Sequence, residues 1–197
     1  MGTGRQREFD KDHALDNAME LFWRDGYNGT SLSDLTTVMG INKPSLYAAF
    51  GNKETLFISA LNQYVHKHGS PHFNLLQTPN ANLQQRLQDY LKSIAKMVTD
   101  PKLPGGCFVT TSTCETRSHC LPSDALRAIT KINEATTKAF INFFSNEEQQ
   151  GNLTSTSSPD VLANTLLTLQ YGLAVMARNG IKKNALDKII EHSISLF

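Results

Sequence analysis

Residues 31–50 read SLSDLTTVMGINKPSLYAAF, and this stretch decides the fold. Ser31 precedes Leu32, and Asp34 lies three positions further on. A hydroxyl ahead of a helix with an acid at its third position approximates a capping box, with Asp in place of Glu. The spacing predicts a short helix with Leu35, Val38 and Met39 inward. Gly40 ends it in a left-handed conformation that glycine adopts without a Cβ penalty. Ile41-Asn42-Lys43 turns the chain, and Pro44 fits the first position of a second helix, where no N–H is needed. Leu46 and Phe50, four apart, give that helix an inner face. Two short helices joined by a tight glycine turn make a helix-turn-helix. Leu35, Val38, Ile41, Leu46 and Phe50 can hold the pair together, leaving Lys43, Ser45, Tyr47, Ala48 and Ala49 near the outer face. An outer face this small fits the DNA major groove.

Outward from this motif the text stays helical. Ala14, Leu15, Ala18, Leu21 and Phe22 recur at steps of three and four, one face of a helix that Gly26 and Gly29 break. Asn52 caps a third start, followed by Leu56, Phe57, Ala60, Leu61 and Tyr64. From His68 to Asn82 the chain is polar, with Gly69, Pro71 and Pro79, and is expected to be a boundary or long connection. Helical periodicity returns over Leu83–Val98, in a short segment from Cys107 to Thr116, and after Pro122. Two last helices are expected over Pro159–Arg178 and Asn184–Leu196. Leu162, Leu166, Leu169, Leu173 and Met176 form one stripe, and Leu186, Ile190 and Ile194 another. Nothing follows to cover them, so they are expected to pair with a second copy as a homodimer. No strand pattern or repeat appears, and the fold class is all-α with about nine helices.

Composition bounds the function. The chain has 197 residues, 40% hydrophobic and 19% charged, enough for a sizeable core. Net charge is +1, and residues 1–67 hold seven Lys and Arg against eight Asp and Glu, so bulk charge does not announce nucleic acid. A DNA grip here requires the cations to converge on one face and helix N-termini to supply part of the phosphate binding. The start of the chain lacks a signal-peptide core, and no run approaches the ~18 apolar residues of a membrane span. No membrane role and a cytoplasmic location are expected. Cys107, Cys114 and Cys120 are an odd number, unlike a secreted disulfide framework. Cys114, His119 and Cys120 match no closed tetrahedral metal pattern, and His66, His68 and His72 read as solvated loop residues. No metal and no cofactor is expected. Gly-rich phosphate loops, HExxH and GxSxG elements are missing, so the chain does not read as an enzyme.

At the level of motifs the first sixty-odd residues resemble the DNA-binding domain of the TetR family of repressors. Carrying the resemblance are Ala18–Phe22, Gly26–Ser31, Met39-Gly40-Ile41, Ser45-Leu46-Tyr47 and Phe50–Phe57. The resemblance implies a DNA-binding domain over residues 8–68 and an effector-binding and dimerisation domain over 82–197. It implies a double-stranded DNA operator as partner and an unknown small-molecule or electrophile inducer. A ligand-dependent activator of the same fold is the alternative, and a helical enzyme or binding module without a DNA role a more distant one. Thr30 and Ser31 then match phosphate contacts at the start of the bracing helix. Lys43, Pro44, Ser45 and Ala48 fall on the recognition helix, Tyr47 matches a phosphate-reaching tyrosine, and Lys53 a phosphate clamp. Many members carry an aromatic residue and a histidine where this chain has Ala48-Ala49, which leaves only methyl contacts for base readout. Arg5 and Arg7 either reach an adjacent groove or stay solvated. Pocket and sensor candidates are Cys107, Phe108, Thr111, Phe140 and Tyr171. Cys107 follows two glycines at a helix start, where the helix dipole favours thiolate. It is either a reactive sensor, as in a subgroup of the family, or a small buried hydrophobe.

Overall fold

The computed structural model describes residues 9–116, 121–153 and 155–197. Arg5 and Arg7 of the N-terminal tail, and His119 and Cys120 of the three-ligand metal pattern, lie outside the described residues. Nine α-helices make up the fold, and no strand occurs among the described residues.

Helix α1 spans Lys11–Gly29, α2 Leu32–Met39 and α3 Lys43–Phe50. Helix α4 begins at Lys53–Tyr64 and runs on through a π-helical turn, Val65–Gly69, into one more α-turn, Ser70–Phe73, and a 3-10 turn, Asn74–Gln77. Then come α5 (Leu83–Val98), α6 (Phe108–Glu115), α7 (Ser123–Gln149), α8 (Pro159–Arg178) and α9 (Lys183–Ser193). The expected polar connection after His68 is therefore mostly helix. The π-turn explains why: Ser70 N–H reaches back five residues to Val65, and a wider turn tolerates the missing N–H of Pro71. His68 and His72 are accordingly half-buried helix residues rather than solvated loop ones. Burial holds the His72 imidazole below its ordinary range, and its Nδ1 lies 2.8 Å from Ser93 Oγ.

Helices α1, α2 and α3 pack on the first turns of α4 through Phe22, Leu35, Leu46, Leu56 and Phe57, all fully buried. Gln63 and Lys67 of α4 bind the Asp16 carboxylate of α1, holding it below its usual range against the opposing effect of burial. The remaining helices share a second part of the core, with Phe140, Phe143 and Phe144 of α7 facing Leu162, Leu166 and Leu173 of α8. Within it Arg86 of α5 makes a two-pronged ion pair with Glu147 of α7, at 2.9 and 2.5 Å. Arg86 donation holds the Glu147 carboxyl below its usual range.

The dimer stripes need correction. Leu162, Leu166, Leu173, Leu186 and Ile190 are buried inside the single chain, and Leu169, Met176 and Ile194 are partly buried against the same core. They face inward because α8 and α9 close over α5 and α7. The outward face of α8 carries Val161, Thr168, Gly172 and Val175 instead.

Candidate functional site

Each short helix of the N-terminal motif is fixed by its own cap. Ser31 Oγ accepts from Asp34 N, while Asp34 Oδ2 accepts from Ser31 N at 2.9 Å. Those Ser31 bonds hold the Asp34 carboxyl below its usual range. Gly40 adopts φ 66°, ψ 28°, the left-handed end the sequence called for. Asn42 Oδ1 accepts from Ser45 N at 2.8 Å, and Pro44 sits in the first turn, one place after Lys43. The caps set α3 on α2 through buried Leu35, Met39, Leu46 and Phe50. Val38, expected inward, is 36% exposed, and its carbonyl accepts from Asn17 of α1 instead.

The outward face of α3 consists of Lys43, Pro44, Tyr47 and Ala48, with Ser45 and Ala49 half-buried at its edges. Tyr47 is 48% exposed, an unusual place for an aromatic ring without a partner surface. Ser31 is exposed at the start of α2. Thr30 is not available: it is 1% exposed, and its hydroxyl donates to the Gly26 carbonyl at 2.7 Å. Gly26 breaks α1 with φ 74°, ψ 176°, which frees that carbonyl for a side-chain partner. Thr30 therefore locks the turn into α2 rather than meeting phosphate.

Charge placement answers the neutral composition. Helices α1, α3 and α4 each begin with a lysine: Lys11, Lys43 and Lys53. A cation in the first turn opposes the helix dipole and costs about 0.3–1 kcal/mol, so this position serves something other than helix stability. Lys11 Nζ lies 5.1 Å from the Phe50 ring, at the far end of α3 from Lys43. Lys53 Nζ lies 4.2 Å over the Tyr27 ring; burial holds it below its ordinary range, against the pull of Glu115. Several of the acids are spent on caps and pairs. Asp10 caps α1, Asp25 pairs with Arg24, and Glu54 Oε1 accepts from Asp124 N and Ala125 N at the start of α7.

Those last bonds belong to a seam between the motif and the larger helices. Trp23 Nε1 donates to the Gly105 carbonyl at 3.1 Å. Arg178, at the end of α8, donates to the carbonyls of Trp23 and Arg24. Glu115 Oε2 accepts from Tyr27 N at 3.4 Å, and burial raises the Glu115 carboxyl above its usual range. Phe108 packs edge-on against Phe57 and Tyr64.

Beside the seam is a cavity of about 450 Å³ lined by α4, its continuation, and α5 to α8. Cys107 is in its wall, at the N-cap of α6 with no cap bond from its side chain. The other expected pocket residues are placed differently. Phe108 and Phe140 are core rings, the latter stacked on Phe73 and edge-on to Tyr90. Thr111 lines a separate 190 Å³ groove that also reaches Cys107, Cys114 and Arg178. Tyr171 is half-buried with its hydroxyl 3.4 Å from Asn133 Oδ1. Sequence reading missed Tyr64, His68, Phe73, Met97, Thr136 and Gln170, which do line the cavity. Three of them lie on the stretch taken for a connection or just before it. A larger depression of about 500 Å³ between α6 and α7 is an open groove rich in threonine.

Residues 14–60 match the family described as bacterial regulatory proteins, tetR family. The HTH-type transcriptional repressor ComR of Escherichia coli (strain K12) is 31% identical over 194 residues, spanning 98% of this chain and 91% of ComR. The chain belongs to the TetR family. The uncharacterized HTH-type transcriptional regulator YezE of Bacillus subtilis (strain 168) is 27% identical, covering 98% of both chains. A cysteine mutant of the TetR family transcriptional regulator CifR, complexed with 26-base-pair operator DNA, superposes with a TM-score of 0.80 at 30% identity, covering 98% of this chain and 100% of CifR. This TetR-family chain is a DNA-binding transcription regulator and not an enzyme. None of the helices among the described residues is long and apolar enough to cross a membrane.

Proposed function

We propose that this chain is a homodimeric, cytoplasmic repressor that releases its operator when a small molecule fills the cavity bounded by α4 to α8. The observation that carries the reading is the exposed face of α3, bracketed by the helix-starting lysines 11, 43 and 53. Residues 8–68 supply the grip, and residues 82–197 the cavity and the dimer face. Lys43, Pro44 and Ala48 meet the major groove, Ser31 and Tyr47 meet the backbone, and Lys53 swings from Tyr27 to phosphate. The dimer reading rests on the outward side of the last two helices. Val161 and Val175 are exposed there on α8, Ile181 is exposed in the link to α9, and Leu196 in the 3-10 turn that follows α9. A two-fold dimer presents two recognition helices to successive major grooves, about 34 Å apart. A cavity ligand acts by preferring a spacing that no longer fits. Trp23, Arg178 and Glu115 are the groups that carry the change across the seam.

The test is fluorescence anisotropy on the DNA upstream of the chain's own gene across a salt series. Lys43→Ala is expected to weaken binding and lower the slope of log K against log salt by about 0.9. Tyr47→Phe is expected to weaken binding equally across operator variants. Absence of salt-sensitive, sequence-selective binding sinks the reading. A second reading has Cys107 trapping electrophiles, favoured by its place between the cavity and the smaller groove. Cys107→Ser with unchanged induction by every electrophile removes it.

A further inference from the structure

The lining of the 450 Å³ cavity contains no Asp, Glu, Lys or Arg. An anion or a cation entering it would lose its hydration without meeting an opposite charge, a penalty of several kcal/mol per ion. Most of the wall is aliphatic or aromatic, so the hydrogen-bonding groups that remain select the occupant. Gln170 of α8 is the most constrained of them. The Tyr90 hydroxyl donates to Gln170 Oε1 at 2.6 Å, and buried Tyr90 has no other acceptor for its proton among the described residues. Burial pushes that phenol far above its ordinary range, so it stays a donor. Gln170 therefore presents its carbonyl to Tyr90 and leaves its amide N–H groups for the cavity it lines, with no partner among the described residues. The nearby Thr136 hydroxyl spends its hydrogen on the Ile132 carbonyl. Thr136 Oγ can therefore only accept, and the Gln170 amide is the donor of the wall whose acceptor must come from the occupant. A ligand carbonyl oxygen supplies that acceptor without bringing a hydrogen that needs a partner of its own.

We propose that this cavity binds an uncharged, mainly apolar molecule whose carbonyl oxygen accepts a hydrogen bond from the Gln170 amide. The proposal deepens, and rests on, the reading of the cavity as the effector site. Gln170 is a ligand-binding residue here, and Tyr90 positions its amide.

The chain contains one tryptophan, Trp23, whose ring lies 4.8 Å from Tyr64 and 5.4 Å from His68, both in the cavity wall. Its fluorescence, with calorimetry as a check, reports binding to the full chain without DNA. Three probes of similar shape separate the classes: 4-phenylbutan-2-one, 3-phenylpropanoate and butylbenzene. The ketone is saturated, so recognition is read without alkylation of Cys107. The expected result is that the ketone binds at least tenfold tighter than the carboxylate at pH 7. Gln170→Leu is expected to weaken the ketone about tenfold while leaving butylbenzene within twofold. Tyr90→Phe, which keeps the ring, is expected to give a smaller loss in the same direction, and stands in if Gln170→Leu does not fold. Equal or tighter carboxylate binding, an unchanged ketone-to-hydrocarbon ratio in both variants, or no response to any probe overturns the proposal. An operator-binding assay keeps the two readings apart. Ketone binding without loss of operator affinity overturns the effector reading and upholds the ligand class. Operator release by the carboxylate alone does the reverse.

Discussion

The first five helices and the last four begin in different ways. Asp10, Ser31, Asn42, Asn52 and Asn82 each accept a backbone N–H of the helix they precede. Cys107, Pro122, Ser158 and Lys182, which precede α6 to α9, make no such bond. Helices α2 and α3 have eight residues each, below the length at which an isolated helix is stable, so caps and a tight turn must specify them locally. Helices α7 and α8 have 27 and 20 residues and are held by the faces they bury. A region specified by its own letters keeps a fixed shape for a fixed target. A region specified by packing can repack when something enters its core.

Four substitutions probe this contrast, ordered by expected effect. Arg86→Met strands Glu147 in the packed half and is expected to cost about 3–5 kcal/mol, read by urea unfolding. The paired Glu147 titrates below its unfolded value, so its contribution is present above the ordinary carboxylate range and is lost as pH falls through the folded value. The gap between Arg86→Met and the parent should therefore narrow in acid; a gap independent of pH contradicts the assignment. Gly26→Ala forces φ 74° on an alanine and drives its Cβ into the Glu115 carboxylate. A loss of about 1–3 kcal/mol is expected, with loosening of the seam visible as faster amide exchange at Tyr27. Asn42→Ala removes the cap of α3 and is expected to cost about 1 kcal/mol, with a matching loss of operator affinity. Lys182→Ala, at an uncapped helix start, is expected to stay within about 0.5 kcal/mol in thermal unfolding. If Lys182→Ala cost as much as Asn42→Ala, the division between capped and packed halves would fail.

The same division decides what could be read from the letters. The capping of α2 and α4, the Gly40 turn and the limits of α8 are local or punctuated, and they stand in the structure as expected. Thr30 misled because its partner is the carbonyl released where Gly26 breaks α1, and the letters mark that break without saying which donor takes the carbonyl. The stretch after His68 misled because a π-turn absorbs Pro71, and that turn hid several cavity residues. Helix α8 is apolar on more than one side, so its sequence could not say which stripe the chain itself would cover. The Gln170 amide was invisible for a similar reason: its direction is set by Tyr90, 80 positions away.

Arg178 carries one more consequence. It ends α8, and its guanidinium satisfies the carbonyls of Trp23 and Arg24 near the end of α1. One helix is finished by the residue that finishes another, 154 positions later. The N-terminal motif is thus not a cartridge that can be cut out and spliced to a foreign regulator intact. A chimera lacking an arginine at that place would leave two carbonyls looking for a donor.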